Sequence, residues 1–134
     1  LSLIREIQSL NIPECNKVNT NLETSFAHGD FCPWNLMIVG KALKAFDWEM
    51  AGYYPLGYDL FTYIFQTSFL LHPKRLPEEI VAKNILHFKA SFSDIDWRPF
   101  LASFAEIKLE VEILKGNRRL IPHYKRLSEY AKKT

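Results

Sequence analysis

His28-Gly29-Asp30-Phe31-Cys32-Pro33-Trp34-Asn35 is followed, twelve residues after Asn35, by Asp47-Trp48-Glu49. Between them lie two short apolar runs, Leu36 to Val39 and Leu43 to Phe46, separated by Gly40-Lys41. Short runs with β-branched members and a glycine at the break predict a β-hairpin. Antiparallel pairing returns the chain to where it set out, so Asp47 at the hairpin exit is expected beside Asp30 and Asn35 at its entrance. Three oxygen-bearing side chains then surround one point. A hard divalent cation such as Mg²⁺ needs such ligands, with phosphate and water completing its shell. Taken singly, Asp30 and Asn35 are ordinary turn residues and Asp47 an ordinary strand-end cap. Their order and spacing together are not explained that way.

Working outward, Leu1 to Leu10 reads as the end of an amphipathic helix, so the chain is expected to be part of a longer protein. Asn11 to Asn21 reads as a loop, and Leu22 to Ala27 as an extended segment leading into His28. Beyond the hairpin, Ala51 to Gly57, with two Gly and a Pro, reads as loop. Asp59 caps or begins a helix whose apolar stripe is Leu60, Phe61, Ile64 and Phe65, ended by His72-Pro73. Pro77-Glu78-Glu79 starts the next helix. Ser93 or Asp94 is expected to cap a third, with Phe100, Phe104, Ile107, Val111 and Leu114 inward, and Gly116-Asn117 to stop it. A last helix turns Leu120, Tyr124 and Leu127 inward. The expected fold is α+β and mostly helical, a small hairpin sheet with a helical body, in one domain over residues 1–134.

The chain has 134 residues, 48% apolar, with ten Phe, six Tyr and three Trp. A chain of that size buries about 65% of its unfolded surface, so a real core is expected rather than disorder. No apolar run reaches the ~20 residues of a membrane span; the stretch from Leu60 to Leu71 is broken by Gln66, Thr67 and Ser68. Cys15 and Cys32 form neither a disulfide framework nor a zinc site by themselves, which suits a reducing, cytoplasmic location. The net charge of +2 hides an asymmetry, since 7 of the 17 Lys and Arg lie from Lys115 onward, against only Glu129. That tail reads as a solvated helix with cations near its C-terminus. A nucleic-acid surface is disfavoured because aromatic interleaving and a recognised motif are both lacking.

The ordered set His28-Gly29-Asp30, Asn35 and Asp47 resembles the catalytic loop and metal-binding segment of the eukaryotic-like kinase superfamily, in which H-R-D-x-x-x-x-N is followed by a hairpin and D-F-G. With H-G-D and D-W-E, and with Gly52-Tyr53-Tyr54-Pro55-Leu56-Gly57-Tyr58-Asp59-Leu60 following, it is similar to the aminoglycoside phosphotransferase and choline kinase family. The likeness covers about Phe26 to Phe65 and implies a kinase-like C-terminal lobe whose hairpin carries the catalytic and metal-binding loops. It further implies ATP- and Mg²⁺-dependent transfer of phosphate to a hydroxyl of a small molecule. Aminoglycosides, choline or ethanolamine, thiamine and sugars are the implied acceptors. Asp30 would orient the acceptor hydroxyl, and Asn35 and Asp47 would hold Mg²⁺. His28 would brace the loop, Glu49 would support the metal shell or a cationic acceptor, and Asp59 would tie the catalytic loop to the helix it begins.

A kinase of this class also needs an N-terminal lobe with a phosphate lid and a Lys–Glu pair. The 27 residues before His28 contain no Gly-rich loop or V-A-I-K-like strand, and Lys17, in a polar loop, is a poor candidate for the lysine. The expected partner is therefore the missing N-terminal lobe of the same protein. The surface that would meet it is expected to be exposed and prone to self-association. The alternative is a non-catalytic kinase-like lobe acting as a binding or interaction module. A metal-dependent phosphoesterase is disfavoured because two-metal sites need more His and Asp than lie near His28.

Overall fold

The computed structural model describes residues 2–134, and in it Leu36–Val39 (β2) and Ala42–Ala45 (β3) pair antiparallel, from Leu36 opposite Ala45 to Val39 opposite Ala42. Gly40-Lys41 closes the turn, with Gly40 at φ 65 supplying the left-handed backbone that such tight hairpins need. The hairpin leaves much of its apolar surface in solvent, Ile38 most of all at 72% exposed.

The described residues form two compact units, divided in the chain between Tyr63 and Ile64. In the first, Ser2–Gln8 (α1) buries Ile4 and Ile7 and packs beside Thr24–Ala27 (β1). A correction falls at Ala51 to Gly57, read from sequence as loop. Gly52–Pro55 is a strand (β4) paired antiparallel with β1, Ala27 opposite Gly52 and Thr24 opposite Pro55. Its other side is held by the polar loop: Tyr53 N–H donates to Asn16 O at 2.8 Å, and Val18 N–H donates to Tyr53 O at 2.9 Å. Gly52 is required there, since a Cβ would lie 2.7 Å from Asn16 O. The flanking Gly and Pro punctuate the sequence like a loop, but long-range partners on both sides outweigh that local signal.

Tyr58–Phe61 (α2) follows Gly57 and runs through a single π turn, Thr62–Gln66, into Thr67–Leu71 (α3). The Thr62 hydroxyl donates to Tyr58 O at 2.9 Å, a side-chain bond that competes with the regular ladder where the helix widens. The second unit adds Pro77–Phe92 (α4), Arg98–Lys115 (α5) and Ile121–Lys132 (α6). Pro77 opens α4, and Glu79 reaches back to accept from Leu76 N–H at 3.1 Å. Aromatic rings fill this core. Phe65 lies 6.2 Å from both Phe88 and Phe104, and Phe69 meets Tyr124 edge-on at 5.1 Å. Each such ring removed from water contributes about 1.5–3 kcal/mol. The Tyr124 hydroxyl is satisfied by Gln66 Oε1 at 3.0 Å.

Two expectations for α5 need correcting. Neither Ser93 nor Asp94 caps it. Ser93 ends α4 at φ 52, and Asp96 accepts from Arg98 N–H at 3.1 Å where α5 begins. The inward row is Phe100, Leu101, Phe104, Ala105, Lys108 and Glu112, while Leu114 is 87% exposed. At 100° per residue the Phe100-to-Leu114 stripe is centred roughly 80° round the helix from the row that packs inward, so Phe100 lies at the border of the buried face and Leu114 falls outside it. Leu120, Tyr124 and Leu127 of α6 are buried. The architecture is α+β and mostly helical, with two two-stranded sheets. No helix among the described residues is long and apolar enough to cross a membrane.

Candidate active site

β1 ends at Ala27, and the next residue, His28, is fully buried. Its ring bridges two loops. Asp30 N–H donates to His28 Nδ1 at 3.1 Å, and the other ring nitrogen lies 2.7 Å from Phe46 O. An amide N–H can only donate, so Nδ1 is the acceptor and Nε2 carries the proton given to Phe46 O. The Trp48 ring covers the imidazole at 4.6 Å, with Phe31 edge-on at 6.1 Å. His28 thus joins the loop holding Asp30 to the residue immediately before Asp47.

Asp59 in α2 anchors the same loop from below. Its carboxylate, 1% exposed, accepts from His28 N–H at 2.8 Å through Oδ2 and from Gly29 N–H at 3.1 Å through Oδ1. Hydrogen bonds to an ionised acceptor are among the stronger ones. Gly29 sits at φ 92, and a Cβ there would lie 2.2 Å from Met50 O, so the loop after Asp47 presses directly against the loop that carries Asp30. Tyr54 locks that second loop by donating to Met50 O at 2.6 Å. Burial, and secondarily the charge of Asp59, push the Tyr54 phenol above its ordinary pKa.

Asp30 is half-buried, and Asn35, at the end of the short turn Pro33–Asn35, holds it twice. Asn35 Nδ2 donates to Asp30 O at 2.8 Å and to Asp30 Oδ2 at 3.1 Å. Both partners only accept, so the amide nitrogen must face them and Oδ1 is turned elsewhere as an acceptor. Phe46 N–H donates to Asn35 O at 2.8 Å. One bond therefore ties the entrance of the hairpin to the residue before Asp47. Asp47 is exposed, with a left-handed backbone at φ 61. Among non-glycine residues Asp tolerates that conformation better than most, and such backbone concentrates at functional sites. Glu49 is exposed and lines a cleft of about 220 Å³ with Lys17, Met50 and Tyr54.

These contacts gather Asp30, Asn35, His28 and Asp59 into one bonded set and bring Asp47 to its edge, while Glu49 stands at the adjoining cleft. The sequence model of the phosphotransferase enzyme family (APH) matches residues 5–90. The chain belongs to the phosphotransferase enzyme family. The match spans α1 to the last turns of α4 and contains all six of these residues. No curated protein and no solved structure matches the chain.

Within this phosphotransferase family member, three contributors to the site carry no sequence signal of their own. The Cys32 thiol, fully buried, approaches Asp30 Oδ1 at 3.8 Å. Met50 contributes backbone only, and its one trace in the sequence is the glycine that must face it. Tyr54 lay in a segment read as loop. Among the described residues, no group of three His, Cys, Asp or Glu is placed to hold a metal. A cation here would rely on the Asn35 amide oxygen beside carboxylate. That donor set fits Mg²⁺, which keeps much of its water and takes only one or two protein ligands.

Proposed function

We propose that this chain carries the catalytic loop and metal-binding segment of an ATP- and Mg²⁺-dependent phosphotransferase that acts on a hydroxyl of a small molecule. The acceptors in view are an aminoglycoside, choline or ethanolamine, thiamine or a sugar-like alcohol. The observation that carries this reading is the doubly bonded Asp30–Asn35 pair, joined through Asn35 O and Phe46 N–H to the residue preceding Asp47.

Asp30 accepts a hydrogen bond from the acceptor hydroxyl and aims its oxygen at the γ-phosphorus. A new O–P bond forms as the bond from that phosphorus to the β,γ-bridging oxygen breaks, ADP departs, and the hydroxyl proton passes to the Asp30 carboxylate. In a largely dissociative transfer this proton moves late, so positioning matters more than basicity. The bonds from Asn35 and from His28 Nδ1 fix the Asp30 side chain and backbone for that task. Asn35 Oδ1 and the Asp47 carboxylate would hold Mg²⁺, which when bound neutralises charge on the phosphate oxygens. Glu49, beside the cleft next to the catalytic loop, suits a cationic or polyhydroxylated acceptor. The N-terminal lobe that grips the nucleotide would be supplied by the same protein, and the exposed hairpin apolar surface is the face it would cover.

The test is ATP turnover by the full-length gene product with Mg²⁺ and a panel of amino and sugar alcohols. Asp30→Asn should lower kcat by about 10²–10⁴-fold, the usual contribution of a positioned acid–base group. Asp47→Asn should raise the Mg²⁺ requirement. Turnover untouched by either variant, or phosphomonoester hydrolysis without ATP, would refute the proposal.

A further inference from the structure

The second unit holds a cleft that the catalytic reading leaves unused. It lies in the turn between α3 and α4, has a volume of about 450 Å³, and is lined by His72, Pro73, Lys74, Arg75 and Glu79. That volume lies within the range of small-molecule sites, about 300–1,000 Å³. The turn is fixed by Arg75 N–H donating to His72 O at 3.0 Å. Basic groups continue beside it. Arg119 Nη2 donates to Leu70 O at 3.0 Å, two residues before His72. The His123 ring stacks on Phe69 at 4.8 Å, with planes 13° apart.

Lys74, Arg75 and the carboxylate of Glu79 all line the cleft, which leaves its wall with one positive charge in excess. Glu79 Oε1 is engaged by Leu76 N–H, and Glu78 acts on the Tyr130 phenol, adding to burial in raising its pKa. The ion pairs Arg98–Asp96 and Lys132–Glu106 do not involve the cleft. His123 registers the surrounding positive charge: partial burial, then Arg126 and Arg119, hold its pKa below the ordinary imidazole value.

We propose that this cleft binds a small ligand carrying one or two phosphoryl groups, with Lys74 and Arg75 as its principal contacts and Arg119 on its flank. Cations gathered in a concave site raise the local concentration of an anion, and a guanidinium offers phosphate a paired hydrogen-bonding edge. The proposal does not depend on the activity proposed for the Asp30 set.

The probe is inorganic pyrophosphate, titrated calorimetrically into the full-length protein in EDTA, where a divalent-dependent catalytic site is silent. Saturable one-to-one binding is expected. Lys74→Gln/Arg75→Gln should weaken it at least about tenfold, the scale of losing charge-assisted contacts. Lys125→Gln/Lys133→Gln, which removes the same charge from α6, should change it less than about twofold, within what screened surface charges contribute. No saturable binding overturns the proposal, as does equal loss in the two double variants, which would mean diffuse surface charge. Binding that appears only when Mg²⁺ replaces EDTA would assign the ligand to the catalytic site and overturn the proposal. Displacement of pyrophosphate by a short RNA that binds more tightly, with steep salt dependence, would overturn it in favour of a nucleic-acid surface.

Discussion

Replacing Asp59 tests whether its carboxylate holds the loop that carries Asp30. The carboxylate is 1% exposed and accepts two backbone N–H groups, from His28 at 2.8 Å and Gly29 at 3.1 Å. Asp59→Ala leaves both donors buried without that acceptor. Bonds to a charged acceptor contribute about 1.5–3 kcal/mol each, so a loss of about 3–5 kcal/mol follows. Asp59→Asn keeps one oxygen but sets its NH₂ against the other donor, and should cost about 2–3 kcal/mol. At roughly 4 °C per kcal/mol for a chain of this size, the melting temperature should fall by about 12–20 °C for Ala and about 8–12 °C for Asn. Urea unfolding followed by tryptophan fluorescence is a suitable assay, since Trp48 rests on the His28 ring at 4.6 Å. Amide exchange at His28 and Gly29 should accelerate in both variants. The reasoning is refuted if Ala costs less than about 1 kcal/mol, or if the two amides exchange no faster than in the parent.

Three other outcomes follow from the same geometry. Asp47→Gly should relieve the left-handed backbone at φ 61 and stabilise the fold by up to about 1 kcal/mol, visible as a raised melting temperature, while turnover is lost with the carboxylate. Gly29→Ala places a methyl 2.2 Å from Met50 O at φ 92 and should destabilise by about 2–5 kcal/mol in urea titration; an unchanged midpoint would contradict the close approach. Tyr54 has a raised pKa in the folded state, so the unfolded chain loses its phenolic proton first. The stability this contributes is complete below about pH 10 and is lost as pH climbs beyond it. Tyr54→Phe should flatten that alkaline decline in a stability–pH profile, at a cost of about 1 kcal/mol at neutral pH from the missing bond to Met50 O.

The parts of the fold that were legible are those written locally. Short apolar runs on either side of Gly40-Lys41 gave the hairpin, Pro77 the start of α4, and Gly116 the end of α5. What escaped was set by partners distant in sequence. β4 exists because Tyr53 and Tyr54 find β1 on one side and Asn16 to Val18 on the other, which no window around two glycines and a proline discloses. The buried row of α5 includes Lys108 and Glu112, polar residues that a hydrophobic template skips. At the site, the spacing from Asp30 to Asn35 was readable because a short loop leaves the chain few ways to run. The Gly29–Met50 contact depends on tertiary packing, and the sequence marks it only by an obligatory glycine.

Ala27 and Gly52 stand opposite each other, so the chain departs and rejoins the β1–β4 pair at a single rung. Everything from His28 to Ala51 is thereby a closed excursion, with Asp30, Asn35 and Asp47 near its neck and Gly40-Lys41 at its far tip. Inserting residues or a reporter group at that tip lengthens only the outer end of the loop. The neck would keep its spacing, so a probe attached at Gly40-Lys41 leaves the Asp30–Asn35 geometry in place.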